Sequence, residues 1–144
     1  MELSCRIEYA LLALLELAAC YPQGEPLQIR QIAAQQNIPD RYLEQILAAL
    51  RRGGLVLSQR GAKGGYLLAR EPWLITLWDA IDCLEGGEPG QRKDANAQAT
   101  DSEVIAVIWQ EVAAGARGIW QCYTLQDLCE QRRARSQANL MYYI

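Results

Sequence analysis

Residues 29–70, IRQIAAQQNIPDRYLEQILAALRRGGLVLSQRGAKGGYLLAR, constrain the fold more than any other stretch of the chain. Ile29, Ile32 and Ala33 recur at helical spacing, a break follows at Asn37-Ile38-Pro39, and Leu43, Ile46, Leu47 and Leu50 then recur at i, i+3, i+4 and i+7. Two short amphipathic helices therefore meet across a tight turn. Proline restricts its own φ and pushes the preceding residue towards an extended conformation, so Pro39 is expected at the first position of the second helix, with Asp40 in its first turn. With the leucines and Ile46 turned inward, Arg41, Glu44, Gln45, Ala48 and Arg52 fall on the outer face. Side chains of these types read base edges: arginine forks onto guanine, glutamine onto adenine, and glutamate accepts from the cytosine amino group. Taken alone, the same face fits an ordinary solvated helix surface equally well.

The residues that follow decide between the two. Arg51-Arg52-Gly53-Gly54 closes the helix with cations suited to its negative end and a glycine able to take a left-handed cap. A hairpin comes next, with Leu55–Ser58 as one strand, Arg60-Gly61-Ala62-Lys63-Gly64-Gly65 as its tip and Tyr66–Ala69 as the return. Glycines at the tip allow close backbone approach to another surface, and Arg60 and Lys63 bracket it with positive charge. Such a hairpin beside a recognition helix can place an arginine in a narrow minor groove and lay amides on phosphates. A nucleotide phosphate loop is the competing reading, and it fails because no Lys-Ser/Thr pair opens a helix after the glycines.

Elsewhere, Arg6–Tyr21 repeats Ile7, Leu11, Leu14, Leu15 and Ala18 as a helix with Ser4 as its cap, and Tyr21–Pro26 is a turn-rich connector. Gln28 opens the next helix, where free amides and a side-chain amide suit a phosphate contact. Thr76-Leu77-Trp78-Asp79 reads as a capping box opening a short helix that Gly86-Gly87 stops. Residues 88–99 are polar and aperiodic and read as a loop. Thr100-Asp101-Ser102-Glu103 is a second capping box, followed by Val104, Ile105, Ile108 and Val112; Gly115 and Gly118 are expected to end that helix. It carries more apolar residues than a short exposed helix needs, so it either meets a partner or folds back to close the C-terminal helices over the first. Thr124–Asp127 caps a last helix whose final turn carries Arg132, Arg133 and Arg135, and SQANLMYYI shows no clear pattern.

The run from Ala34 through IPDRYLEQILA and LRRGGLV to RGAKGGY and Leu68-Ala69 resembles the Rrf family of bacterial winged-helix transcription regulators, which includes IscR, NsrR and CymR. The likeness extends upstream to Leu3-Ser4, Arg6 and Tyr9-Ala10-Leu11, and downstream to Ile75-Thr76-Leu77 and Glu85-Gly86. It implies a mainly α fold with a small β-hairpin wing: a winged helix-turn-helix over 1–86, a linker loop over 87–99, and a long dimerisation helix with a C-terminal helix over 100–144. It also implies that Ser4, Arg6 and Tyr9 lie against the DNA backbone, although Tyr9 fits an ordinary core-edge aromatic as well. The candidate DNA contacts are then Ser4, Arg6, Tyr9, Gln28, Arg41, Tyr42, Glu44, Gln45, Arg52, Arg60, Gly61, Lys63, Gly64 and Gly65. Val104, Ile105, Ile108 and Val112 form the candidate dimer interface. A two-fold homodimer on a near-palindromic operator is the expected form, with redox, iron or metabolic state as candidate signals.

Charge agrees in its distribution rather than its total. The net charge is −3, but residues 1–70 hold eight Lys/Arg against six Asp/Glu, while 71–144 hold six against eleven. No apolar run reaches the length of a membrane span and no leader is evident, so a cytoplasmic protein is expected. Cluster-binding relatives carry three cysteines in the segment that here runs from Glu85 to Glu103; this chain has none there and no histidine anywhere. Cys5, Cys20, Cys83, Cys122 and Cys129 are scattered, without a Cys-x-x-Cys pair, which argues against a disulfide framework and a resident metal. No cofactor is expected, an iron–sulfur cluster with unusual ligands being the exception left open. Cys20 and Cys129 read as buried apolar residues, and Cys5 and Cys83 as the candidates for redox chemistry. Without histidine or a nucleophile–base spacing there is no sign of an enzyme. The alternative function is a protein-interaction module that keeps the fold and regulates by binding an enzyme or another regulator.

Overall fold

A computed structural model describes residues 3–85 and 100–142 of the chain. The first helix, α1 (Cys5–Ala19), starts where Ser4 adopts an extended conformation and its Oγ accepts the Ile7 N–H at 3.3 Å. Its inner face buries Ala10, Ala13, Leu14 and Leu17, the centre of the core. After a 3₁₀ turn at Tyr21–Gln23, α2 (Ile29–Gln36) ends at Asn37, which takes the left-handed conformation at φ 54° that a short polar side chain tolerates. Ile38 then plugs the core, and α3 (Asp40–Arg52) begins. Pro39 sits one position earlier than expected: its ψ of 131° is extended, so it caps the helix, and its carbonyl accepts the Leu43 N–H at 3.0 Å. Leu43, Ile46, Leu47 and Leu50 are buried, as their period requires.

Strands β1 (Val56–Gln59) and β2 (Gly65–Leu68) pair antiparallel, with Val56 opposite Leu68 and Gln59 opposite Gly65. Leu27 adds a one-residue third rung, exchanging both backbone hydrogen bonds with Tyr66 at 3.0 and 2.7 Å. α4 (Leu77–Glu85) follows a 3₁₀ turn at Pro72–Leu74 and opens on the expected box: Thr76 N–H donates to Asp79 Oδ2 at 2.9 Å, and Asp79 N–H to Thr76 Oγ1 at 3.1 Å. The loop expected over 87–99 and the side chain of Thr100 in the second box lie outside the described residues.

Two expectations about the C-terminal part are overturned. Gly115 and Gly118 do not end their helix: α5 runs unbroken from Thr100 to Cys122. A glycine inside a helix costs about 1 kcal/mol, which anchoring elsewhere offsets; here Trp120 is half-buried and the Arg117 guanidinium stacks 5.0 Å over Trp78 of α4. Nor do Arg132, Arg133 and Arg135 form the final turn of the last helix: α6 spans Leu125–Tyr142 and takes in residues 136–142 of the stretch without a clear pattern. Residues 133–141 are exposed on every side, so nothing imposes an amphipathic period on them.

The third capping box, Thr124 with Asp127, forms as expected, at 2.9 and 3.2 Å. It lies against the first. Leu77 N–H donates to the Tyr123 carbonyl and Leu125 N–H to the Ile75 carbonyl, both at 2.9 Å, so α4 and α6 start from one shared bridge. Leu125 and Cys129 enter the same core as α1 and α3. On α6, Arg132 Nη1 meets Glu16 Oε1 of α1 at 2.8 Å, and the same oxygen accepts Gln36 Nε2 of α2 at 2.6 Å. It is therefore α6, not α5, that closes over the first helix.

Candidate nucleic-acid interface

Burial of the leucine face of α3 leaves Arg41, Tyr42, Glu44, Gln45 and Arg52 exposed together on the opposite side. Ala48, half-buried between them, keeps that face slim. Tyr42 also meets Tyr9 of α1 edge-on, with ring centroids 5.9 Å apart. Tyr9 thus has both roles open to it: it packs on the core and reaches the rim of the α3 surface. Ser4 and Arg6 are exposed at the start of α1. Ser4 already spends one lone pair on its own helix, leaving its hydroxyl free to donate outward. At the start of α2, Gln28 N–H donates to Gln31 Oε1 at 2.9 Å, so its exposed side chain, rather than its own amide, is available to an outside partner.

The wing has a defined hold on α3. Arg51 Nη1 donates to Ser58 Oγ at 3.0 Å, bracing β1 against the end of α3. Sequence reading treated Arg51 only as a helix-end cation, because a contact seven residues on across a glycine turn carries no periodic signature. Arg60, Gly61 and Lys63 are exposed at the tip, and Gly61 has φ 107° with open space where a Cβ would point. The other two glycines face inward. Gly64 is buried, its N–H donates to the Gly61 carbonyl at 2.9 Å, and a Cβ there would overlap the Gln59 carbonyl. A Cβ at Gly65, φ 150°, would overlap the Leu27 carbonyl, so this glycine admits the third rung.

Val104, Ile105, Ile108 and Val112 are all exposed, and so are Val107 and Trp109, the last at 64%. All six stand out in the sequence as more apolar surface than a short helix needs, the first four as the candidate interface; Ile119, farther along α5, does not, because Gly115 and Gly118 suggest a stop before it. Among the cysteines, Cys83 is half-buried, and burial pushes its thiol pKa up, with Asp82 and Asp79 adding to the shift against Arg70. That weighs against a reactive thiolate at neutral pH. Desolvation raises the thiols of Cys20 and Cys129 too; Cys129 is buried in the core as expected, whereas Cys20 is only half-buried and lies outside it. Cys5 is exposed. No group of three or more Cys, Asp or Glu among the described residues could hold a metal ion, and no described helix is long and apolar enough to cross a membrane.

Comparison with known proteins bears on the whole arrangement. The model of the Rrf2 family, described as "Iron-dependent Transcriptional regulator", matches residues 3–131. The HTH-type transcriptional regulator CymR of Bacillus subtilis is 32% identical over 142 residues, 99% of each chain. Among solved structures, T. potens IscR superposes with a TM-score of 0.75 at 32% identity, covering 92% of this chain and 88% of its own. The structure described as CymR, the global cysteine regulator of B. subtilis, gives 0.73 at 32% identity, covering 91% and 98%.

Proposed function

This chain belongs to the Rrf2 family of transcriptional regulators, and from that membership we propose that it binds duplex DNA in a sequence-dependent way as a two-fold dimer. The observation that carries the reading is the exposed α3 face beside a cationic wing tip that Arg51 ties to it. In the proposed complex, α3 lies in the major groove with Arg41, Glu44 and Gln45 towards the bases. Arg52, Tyr42 and Tyr9 line its edge. The wing carries Arg60 to the adjacent minor groove and Lys63 and the Gly61 amide to phosphate, while Ser4, Arg6 and Gln28 hold the backbone on the other flank. Gly64 and Gly65 serve by shaping the tip.

Val104, Ile105, Ile108 and Val112 supply the dimer contact. Each is exposed enough to gain from burial against a partner, and two-fold symmetry doubles the count. A two-fold axis between the α5 helices sets two α3 helices on one side of the duplex, about one helical turn or a small multiple apart.

The family description names iron, but this chain's residues do not fit an iron or iron–sulfur site. Its five cysteines are dispersed, Glu85–Glu103 contains none, and histidine is absent from the sequence. We therefore route no signal through a metal, and Cys5, exposed beside Arg6, is the better placed of the two redox candidates. No reaction is assigned, in keeping with a family of regulators, and the placement we propose is the cytoplasm.

The test is selection of sheared genomic DNA by the purified protein at near-physiological salt, followed by sequencing of the retained fragments. Enrichment of a near-palindrome is the expected result. Retention without any enriched sequence would count against it and turn attention to a protein partner.

A further inference from the structure

Gly53 and Gly54 stand side by side, but they are glycines for different reasons. Gly54 has φ 80°, a left-handed conformation that favours glycine. Gly53 has φ −78° and ψ −3°, which any residue adopts, so its backbone does not require it. What a side chain there would meet is Cys83. A Cβ at position 53 would overlap Cys83 Sγ and stand 3.1 Å from Cys83 Cβ, with the Ala49 carbonyl at an unremarkable 3.6 Å. The sulfur of α4 thus drops into the notch that the missing side chain leaves at the C-terminal end of α3.

We infer that Cys83 is a positioning residue for DNA reading: its sulfur, seated on Gly53, sets where the end of α3 and the root of the wing lie relative to α4. The inference rests on α3 and the wing being the DNA-reading elements. Both are tied to the notch. Leu55 N–H donates to the Leu50 carbonyl at 3.0 Å and Ala69 N–H to the Leu55 carbonyl at 2.9 Å, while Arg51 holds Ser58 at 3.0 Å. A displacement at Gly53 therefore moves the recognition helix and the hairpin together. On its other side α4 is held by the C-terminal helices, through Trp78 beneath Arg117 and through the Leu77–Tyr123 hydrogen bond. Cys83 is where that support touches the cap of α3.

Gly53→Ala, Cys83→Ala, Cys83→Gly and the two double variants test this, compared with the unmodified chain. Three quantities are measured: affinity for the operator that the unmodified chain selects, the thermal unfolding midpoint, and backbone amide shifts of Arg41–Gln45 and Arg60–Lys63 without DNA. Gly53→Ala should weaken operator binding about tenfold, as overpacking of a tight contact does, and should move both remote groups of amides. Relief should be graded. In Gly53→Ala/Cys83→Ala the 3.1 Å contact persists and recovery is partial; in Gly53→Ala/Cys83→Gly, affinity should return to within about twofold of Cys83→Gly alone. A contact that only stabilises the fold would lower the unfolding midpoint of Gly53→Ala while leaving the remote amides and the affinity of the folded protein unmoved. That result, or strictly additive effects in the double variants, overturns the inference. If the unmodified chain selects no operator, the proposed function fails, and the remote amide shifts alone decide on the positioning role.

Discussion

Arg60 and Lys63 sit at the wing tip with no hydrogen bond or ion pair to any described residue, so their charge is free to meet a partner. Arg60→Ala should weaken operator binding by about 1–3 kcal/mol and relax selectivity where the minor groove narrows, with little change in the unfolding midpoint. Titration against the selected operator and against a duplex with that segment changed measures both effects, and unchanged operator affinity counts against the minor-groove assignment. These two cations could be read from the sequence because exposure of a charged residue in a glycine-rich tip is a local matter. The reasons for the glycines could not. A side chain at Gly64 is excluded by the Gln59 backbone and one at Gly65 by the Leu27 backbone, while one at Gly53 would press on the Cys83 side chain; the last two pairs are neighbours only once the chain has folded.

At the scale of elements, periodicity identified α1 to α4 because each buries one face against the others, and burial writes a 3.6-residue pattern. It misjudged α5 and α6 where that pressure is absent. Residues 101–115 and 133–141 are exposed throughout in the single chain, so no period in the sequence carries α5 across Gly115 or α6 beyond Arg135. Neither Gly115 nor Gly118 has a neighbour within 4 Å of where a Cβ would stand. In a chain held monomeric, Gly115→Ala should therefore stabilise α5 by about 1 kcal/mol, read by urea unfolding. A loss of stability there would mean that the position is crowded in the single chain.

On the scale of the whole molecule, one core joins α1 and α3 to Leu125 and Cys129 of α6. Ile108, 56% exposed on α5, lies apart from that core. Ile108→Glu should leave the unfolding midpoint nearly unchanged when extrapolated to low concentration, yet yield monomers by sedimentation and abolish selective binding to the two-half-site operator. Persistence of the dimer would move the proposed axis away from this face. The fixed end of α5 lies where Arg117 stacks on Trp78 and the Thr76–Thr124 bridge follows, whereas residues 101–115 are exposed in the single chain. Mechanically that is a cantilever about 20 Å long at 1.5 Å per residue, clamped at one end against α4. A partner that grips this exposed stretch acts with the leverage of that span, so a small rotation imposed on it reaches the fulcrum beside α4 as torque.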